Sequence, residues 1–147
     1  YAKAYVNRGA AKQLLEDYEG AMQDFTKAIE IDPENADAFY NRGLLKFGQE
    51  DYEGALKDYT AAIAIEPKSE EIYVNRGTTK TVINDKKGAM EDFTKAIEIN
   101  PEYALAYFNR GVLEWQLDEK EAACADFKRA VALEYFEAYN FFTDNCE

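Results

Sequence analysis

Histidine is absent from this chain, and with it the commonest general base and metal ligand. Proline occurs only three times, so long stretches are free of helix breakers. Cysteine occurs twice, as Cys124 and Cys146, without CxxC spacing and with no partners for a metal site. A reduced, buried Cys124 in an apolar helical stripe is therefore expected, and an intracellular setting is favoured. No run approaches the roughly 18 apolar residues that span a bilayer. Basic residues are few: 17 Lys and Arg stand against 29 Asp and Glu, a net charge of −12. That deficit argues against nucleic acid, whose phosphates need basic residues, and against an anionic membrane surface. No secretory signal is visible and the chain begins at Tyr1, as expected of a segment of a longer protein.

What is present is a folded composition and a repeat. Apolar residues make up 47% of the chain and charged residues 31%, the balance of a chain that buries a core. Asn-Arg-Gly occurs at Asn7-Arg8-Gly9, Asn41-Arg42-Gly43, Asn75-Arg76-Gly77 and Asn109-Arg110-Gly111, each copy 34 residues from the last. Pro33, Pro67 and Pro101 keep the same spacing. The chain divides into four units, 2–35, 36–69, 70–103 and 104–137, and a terminal piece, 138–147. The terminal piece reads either as a capping helix or as the start of a fifth unit.

Each unit has the period of two helices. Tyr18, Ala21, Met22, Phe25, Ala28 and Ile29 fall on one face of an α-helix. Asp17 can cap it, as Asp51 and Asp85 can in the next two units, while Asp118 or Glu119 has to serve in the fourth. Asp32-Pro33 ends it. Residues 3–15 form a first amphipathic helix carrying Tyr5, Gly9, Ala11 and Leu14. Glycine inside a helix costs about 1 kcal/mol, so its return at Gly43, Gly77 and Gly111 predicts close approach of the paired helix near Ala21, Ala55, Ala89 and Ala123.

The order aromatic, Gly, Ala, aromatic, Ala, Pro reads Tyr5, Gly9, Ala21, Phe25, Ala28, Pro33, then Phe39, Gly43, Ala55, Tyr59, Ala62, Pro67. It returns as Tyr73, Gly77, Ala89, Phe93, Ala96, Pro101, and as Tyr107, Gly111, Ala123, Phe127, Ala130 with Tyr135 in place of proline. This pattern resembles the tetratricopeptide repeat. Two departures stand out. Arg precedes the glycine, and Lys12, Lys46, Lys80 and Glu114 occupy a position that is often aromatic. The resemblance implies an all-α fold: a right-handed α-solenoid of four helix–turn–helix repeats plus a short C-terminal helix. It also implies a concave groove, lined by the first helices, that binds a protein or peptide.

By the same resemblance the groove positions are Asn7, Asn41, Asn75 and Asn109, with Tyr40, Phe108, Leu44, Val112, Phe47 and Trp115 on neighbouring turns. One amide per repeat resembles the asparagine ladder with which some members of the family hold a peptide backbone, since an amide both donates and accepts. The alternative is that these amides meet only water or a neighbouring helix. Leu105, Phe108, Val112 and Trp115 read as a pocket for a partner's anchor residue, or as a surface beneath Tyr139, Phe141 and Phe142. Arg8, Arg42, Arg76 and Arg110 match Asp24, Asp58, Asp92 and Asp126 as a charged ladder inside the stack, within one repeat or between neighbours.

One subclass of the family clamps the acidic C-termini of heat-shock chaperones with Lys, Asn and Arg. The matching positions here are Val6, Ala10, Asn41, Glu71 and Asn75; only Asn41 agrees, and Glu71 reverses a charge. A basic or neutral extended segment is the expected partner. The alternative role is a structural scaffold that self-associates by end-to-end stacking of repeats. No cofactor, metal or catalytic residue is expected: there is no histidine for a triad, no phosphate-cradling glycine loop, and nothing that selects a carboxylate pair.

Overall fold

The computed structural model describes residues 1–146. Among them every regular element is a helix: α1 (Ala2–Leu14), α2 (Tyr18–Ile31), α3 (Ala36–Gly48), α4 (Tyr52–Ile65), α5 (Glu70–Val82), α6 (Lys86–Ile99), α7 (Ala104–Gln116), α8 (Lys120–Ala132) and α9 (Phe136–Cys146). They form two compact units, Tyr1–Lys68 with α1 to α4 and the residues from Ser69 onward with α5 to α9. Consecutive helices pair as α1·α2 and α3·α4 in the first unit, and as α5·α6 and α7·α8 in the second, where α9 packs on α8.

Two kinds of connection alternate. Within a pair the first helix ends in a single left-handed residue, Glu16, Glu50, Asn84 or Asp118, with φ between 62° and 65°. The following amide then donates back to a carbonyl five residues earlier: Asp17 N to Lys12 O at 2.9 Å, and Asp85 N to Lys80 O at 2.8 Å. The same residue caps the next helix, Asp17, Asp51 and Asp85 accepting from the amides of Gly20, Gly54 and Gly88. Between pairs, Asp32-Pro33 ends α2 in extended geometry and Asn35 caps α3 by accepting from Ala38 N.

The core follows from the apolar stripes. In the first unit Ala21, Phe25, Ala28, Ala38 and Leu45 are buried, joined by Ala2 and Val6. The recurrent glycine lets an aromatic ring lie on the first helix. A Cβ at Gly9 would stand 2.7 Å from Phe25 Cε1, at Gly43 2.7 Å from Tyr59, at Gly77 2.7 Å from Phe93 and at Gly111 2.8 Å from Phe127. The close approach expected at these glycines is present; its nearest partner is the ring of the second helix, and at Gly111 the Ala123 carbonyl oxygen also stands 3.2 Å away. The alanine one turn before the ring is fully buried at the same seam and brings the helices near enough for the ring to reach. Burying each ring contributes about 2–3 kcal/mol, which offsets the helix cost of the glycine beneath it.

The chain end departs from the pattern. Glu119 occupies the cap position of α8 but makes no side-chain cap bond. Between α8 and α9 the left-handed turn returns, at Glu134 with φ 63°, and Tyr135 N donates to Ala130 O. A connection of the within-pair kind thus stands where the other repeats use proline, and α9 folds straight back along α8. Cys124 and Cys146 lie on the two arms of that reversal and form a disulfide, Cα–Cα 5.6 Å. The expected reduced Cys124 is overturned: its partner is 22 residues away, and only the reversal at Glu134 brings the two together.

Candidate functional site

The Asn-Arg-Gly triplet sends its three residues to three jobs. Glycine accepts the ring described above. Arginine forms a two-pronged ion pair with the aspartate of its own repeat. Arg8 Nε and Nη2 donate to Asp24 at 2.8 and 2.6 Å, and Arg42 to Asp58 at 2.8 and 2.8 Å. In the second unit Arg76 donates to Asp92 at 2.9 and 2.7 Å, and Arg110 to Asp126 at 2.6 and 2.9 Å. Each guanidinium also lies over the aromatic ring three residues before it, 5.1 to 5.8 Å from the centroid. Outward contacts reach the preceding pair: Arg42 Nη1 donates to Thr26 Oγ1 and Arg110 Nη1 to Thr94 Oγ1, both at 3.3 Å. The register left open by the sequence is thereby resolved within each repeat.

The lysine that departs from the family pattern belongs to the same lock. Lys12, Lys46 and Lys80 bring Nζ to 3.0, 2.8 and 2.8 Å from Asp24, Asp58 and Asp92. Those aspartates are buried to 3% exposure, each held by two cations. The hydrogen bond from Arg8, aided by Lys12, pulls the Asp24 carboxyl down to about 2 against the opposing effect of burial. Sequence reasoning paired only the arginines; the lysines carried the same signal, a 34-residue spacing shared with the aspartates.

Asparagine turns to the other side. Asn7 is exposed; Asn41, Asn75 and Asn109 are half-buried. Asn41 Nδ2 donates to Asp37 O at 2.7 Å and Asn75 Nδ2 to Glu71 O at 3.0 Å, which pins both amides along their own helices. Asn109 Nδ2 instead reaches Thr78 Oγ1 on α5, at 3.4 Å.

Two clefts open between successive first helices. In the first unit Leu44, Leu45 and Gly48 of α3 face Gln13 and Tyr18 across a cleft of about 260 Å³. In the second, Asn109, Val112 and Leu113 of α7 face Thr78, Thr81 and Val82 of α5 across about 190 Å³. Leu44, Val112 and Asn109 of the expected groove thus lie at equivalent clefts. The aromatic residues of the expected groove are half-buried. The Tyr40 ring lies 6.1 Å from Tyr59, and Phe47 5.6 Å from Tyr52. Phe108 sits 6.0 Å from Phe127 and 5.1 Å from Tyr135, and Trp115 meets Phe141 of α9 edge-on at 5.6 Å. Val6 and Val74, beside the asparagines, are core residues.

Among the described residues no three acidic or cysteine side chains gather to hold a metal ion, and no helix is long and apolar enough to cross a membrane.

Tetratricopeptide repeat models match residues 13–50, 36–69 and 84–139. A 38-residue stretch, 26% of the chain, is 50% identical to the RNA polymerase II-associated protein 3 of Xenopus tropicalis and spans 6% of that protein. Among solved structures, a MamA protein superposes with a TM-score of 0.86 at 22% identity, covering 96% of this chain and 78% of that one. MamA from Desulfovibrio magneticus RS-1 gives 0.82 at 23% identity, covering 91% and 76%. The first repeat domain of Spaghetti (RPAP3), solved bound to the HSP90 peptide SRMEEVD, gives 0.71 at 28% identity, covering 77% of this chain and 91% of that one.

Proposed function

Because the chain is a tetratricopeptide repeat protein, of a non-catalytic family of protein-interaction modules, we propose that it holds an extended peptide segment on the face of its first helices. The observation that carries this reading is the pair of equivalent clefts, one beside Leu44 and one beside Val112. Each unit supplies two asparagines at the same helical position, Asn7 and Asn41 in the first and Asn75 and Asn109 in the second. Amides so spaced suit backbone groups, which recur regularly whatever the side chains. Leu44, Val112, Tyr40 and Phe47 add apolar contact, and Phe108 and Trp115 do so from the edge they leave to solvent.

The segment is basic or neutral. The net charge of −12 repels acidic chains and steers basic ones. The Spaghetti domain is bound to an HSP90 peptide carrying three carboxylate side chains. Here Glu71 stands where the chaperone-binding subclass has a cation, and Val6 and Ala10 replace two polar clamp residues. We read the helix α9 as a cap; its return along α8 through a within-pair turn and the disulfide that ties it there support this reading.

Peptide-display selection on the parent chain and on the double variant Asn41→Ala, Asn75→Ala tests the reading, with helical content checked by circular dichroism. Enrichment on the parent and its loss on the variant is expected. Equal enrichment on both removes the asparagines from the site, and tight binding of SRMEEVD overturns the charge argument.

The second reading is a scaffold that stacks end to end. It draws on the exposed Tyr1, Leu14 and Leu15 of the first unit and Phe136 and Tyr139 of the second. Lys128 opposes it: it stands where Thr26 and Thr94 accept from the next arginine, so a second copy's Arg8 would meet a like charge. Concentration-dependent sedimentation separates the readings, and a strict monomer at high concentration removes the scaffold.

A further inference from the structure

The lysine of the lock is replaced in the fourth repeat by Glu114. Its side chain goes inward all the same, and the residue is 8% exposed. Where three repeats place an ammonium group beside the aspartate, this one places a second carboxyl. The single guanidinium nearby is already committed: Arg110 Nε is 2.6 Å from Asp126 Oδ2 and only 3.9 Å from Glu114 Oε1. Glu114 Oε2 is buried and has no hydrogen-bond partner. An ionised carboxylate in that position keeps only the long 3.9 Å contact to a guanidinium already paired with Asp126, and a buried charge so weakly compensated is resolved by taking up a proton.

We propose that Glu114 is held as a neutral carboxylic acid beside the Arg110–Asp126 pair, and that losing this proton loosens the fourth repeat and the helix α9 packed on it. One proton then takes the place of the lysine ammonium of the other repeats. The neutral acid leaves an orphan carbonyl oxygen, a smaller cost than an orphan carboxylate.

The surrounding charges agree. On α7 itself Arg110 favours ionisation. From α8, Asp126 and the cap residue Glu119 oppose it, and burial opposes it most, so that the Glu114 carboxyl is pushed up to about 7. From α6, Lys86, Lys87 and Glu91 line the neighbouring cleft with Glu119. On α5, Lys80 is occupied by Asp92. The charged residues of α9, Glu137 and Asp144, are exposed. The neighbouring residue Trp115 rests on Phe141, which also lies 4.5 Å from Phe127, so a disturbance at Glu114 reaches the seat of α9 directly.

The folded chain binds this proton more tightly than the unfolded chain, so stability falls as pH rises from the ordinary glutamate value, 4.5, through about 7, and then levels. The absence of histidine makes the window readable, because no other side chain ordinarily titrates there. The amine of the fully exposed Tyr1 is common to all variants and cancels in comparison.

Thermal melts of the disulfide-intact chain at pH 5.5 and 8.5 test the proposal, for the parent, Glu114→Gln and Glu114→Lys. The parent midpoint is expected to fall by roughly 5 °C. Both variants are expected to be flat, with Glu114→Lys above the parent at pH 8.5 because it restores the lock of the other repeats. A flat parent, or a slope unchanged in Glu114→Gln, overturns the proposal. Carboxyl carbon NMR of the unmodified chain reads the group without any variant: titration of Glu114 near 7 supports the proposal, and titration near the ordinary glutamate value overturns it. Hydrogen-exchange protection, taken relative to the intrinsic rate at each pH, that falls in α7 to α9 above that pH, and not in α1 and α2, is the expected local signature.

Discussion

The third and fourth repeats share a unit, a plan and an Arg–Asp pair, yet differ at three other polar or turn devices that hold a repeat together. In the third, Asp92 is paired by Arg76 and Lys80, Asp85 caps α6, and Pro101 ends it. In the fourth, Glu114 replaces the lysine, Glu119 leaves α8 without a side-chain cap, and Tyr135 replaces the proline. The buried rings, Phe93 and Phe127, and the glycines beneath them do not change. Hydrophobic packing of one helix on its partner is therefore common to both repeats, and the polar devices are what vary. At the fourth repeat they give way to a disulfide and to an aromatic cluster of Phe108, Trp115, Phe127 and Phe141.

The comparison breaks most sharply at the aspartates. Asp92→Ala strands two partly buried cations and is expected to cost about 3–5 kcal/mol in urea denaturation. Asp126→Ala is expected to cost clearly less, because Glu114 can then ionise against Arg110. Equal losses would show that Glu114 is no part of the lock. Next is the disulfide. Cys146→Ser opens a closed loop of 22 residues and is expected to cost about 3 kcal/mol, with faster hydrogen exchange in α9 and no change in α1 to α4. The glycines test what the repeats share. Gly77→Ala and Gly111→Ala each push a Cβ against a ring and are expected to cost alike, about 1–3 kcal/mol, whereas Gly48→Ala, in open space, is expected to cost nothing. The smallest effect lies at the caps. Glu119→Asp is expected to add about 1 kcal/mol by supplying the missing cap, and Asp85→Ala to remove a similar amount, both read as shifts in melting midpoint.

Much of this was legible in the residues. The 34-residue spacing and the helical stripes located eight helices to within a residue or two, because each buries one face and each boundary carries its own cap or turn signal. The caps Asp17, Asp51 and Asp85 were legible for the same reason. The lysine arm of the lock showed only as a 34-residue spacing, since a lysine on a polar helix face otherwise looks the same whether it meets water or a buried carboxylate. The ring over the glycine was not legible, because the distance between paired helices is no property of either helix alone. Among the groove residues, Leu44, Val112 and Asn109 lie together at clefts, whereas Phe108 and Trp115 are partly taken up by Tyr135 and Phe141.

By itself the sequence determined the repeat, its helices, the rings that fill each pair and the shortage of positive charge. These follow from periodicity and composition, which are local. Only the tertiary structure decided which cation meets which aspartate, that the chain turns back after α8 and joins Cys124 to Cys146, and that Glu114 is buried without a counterion of its own. Each of these depends on how closely two helices approach, and that distance is set by the side chains of both at once.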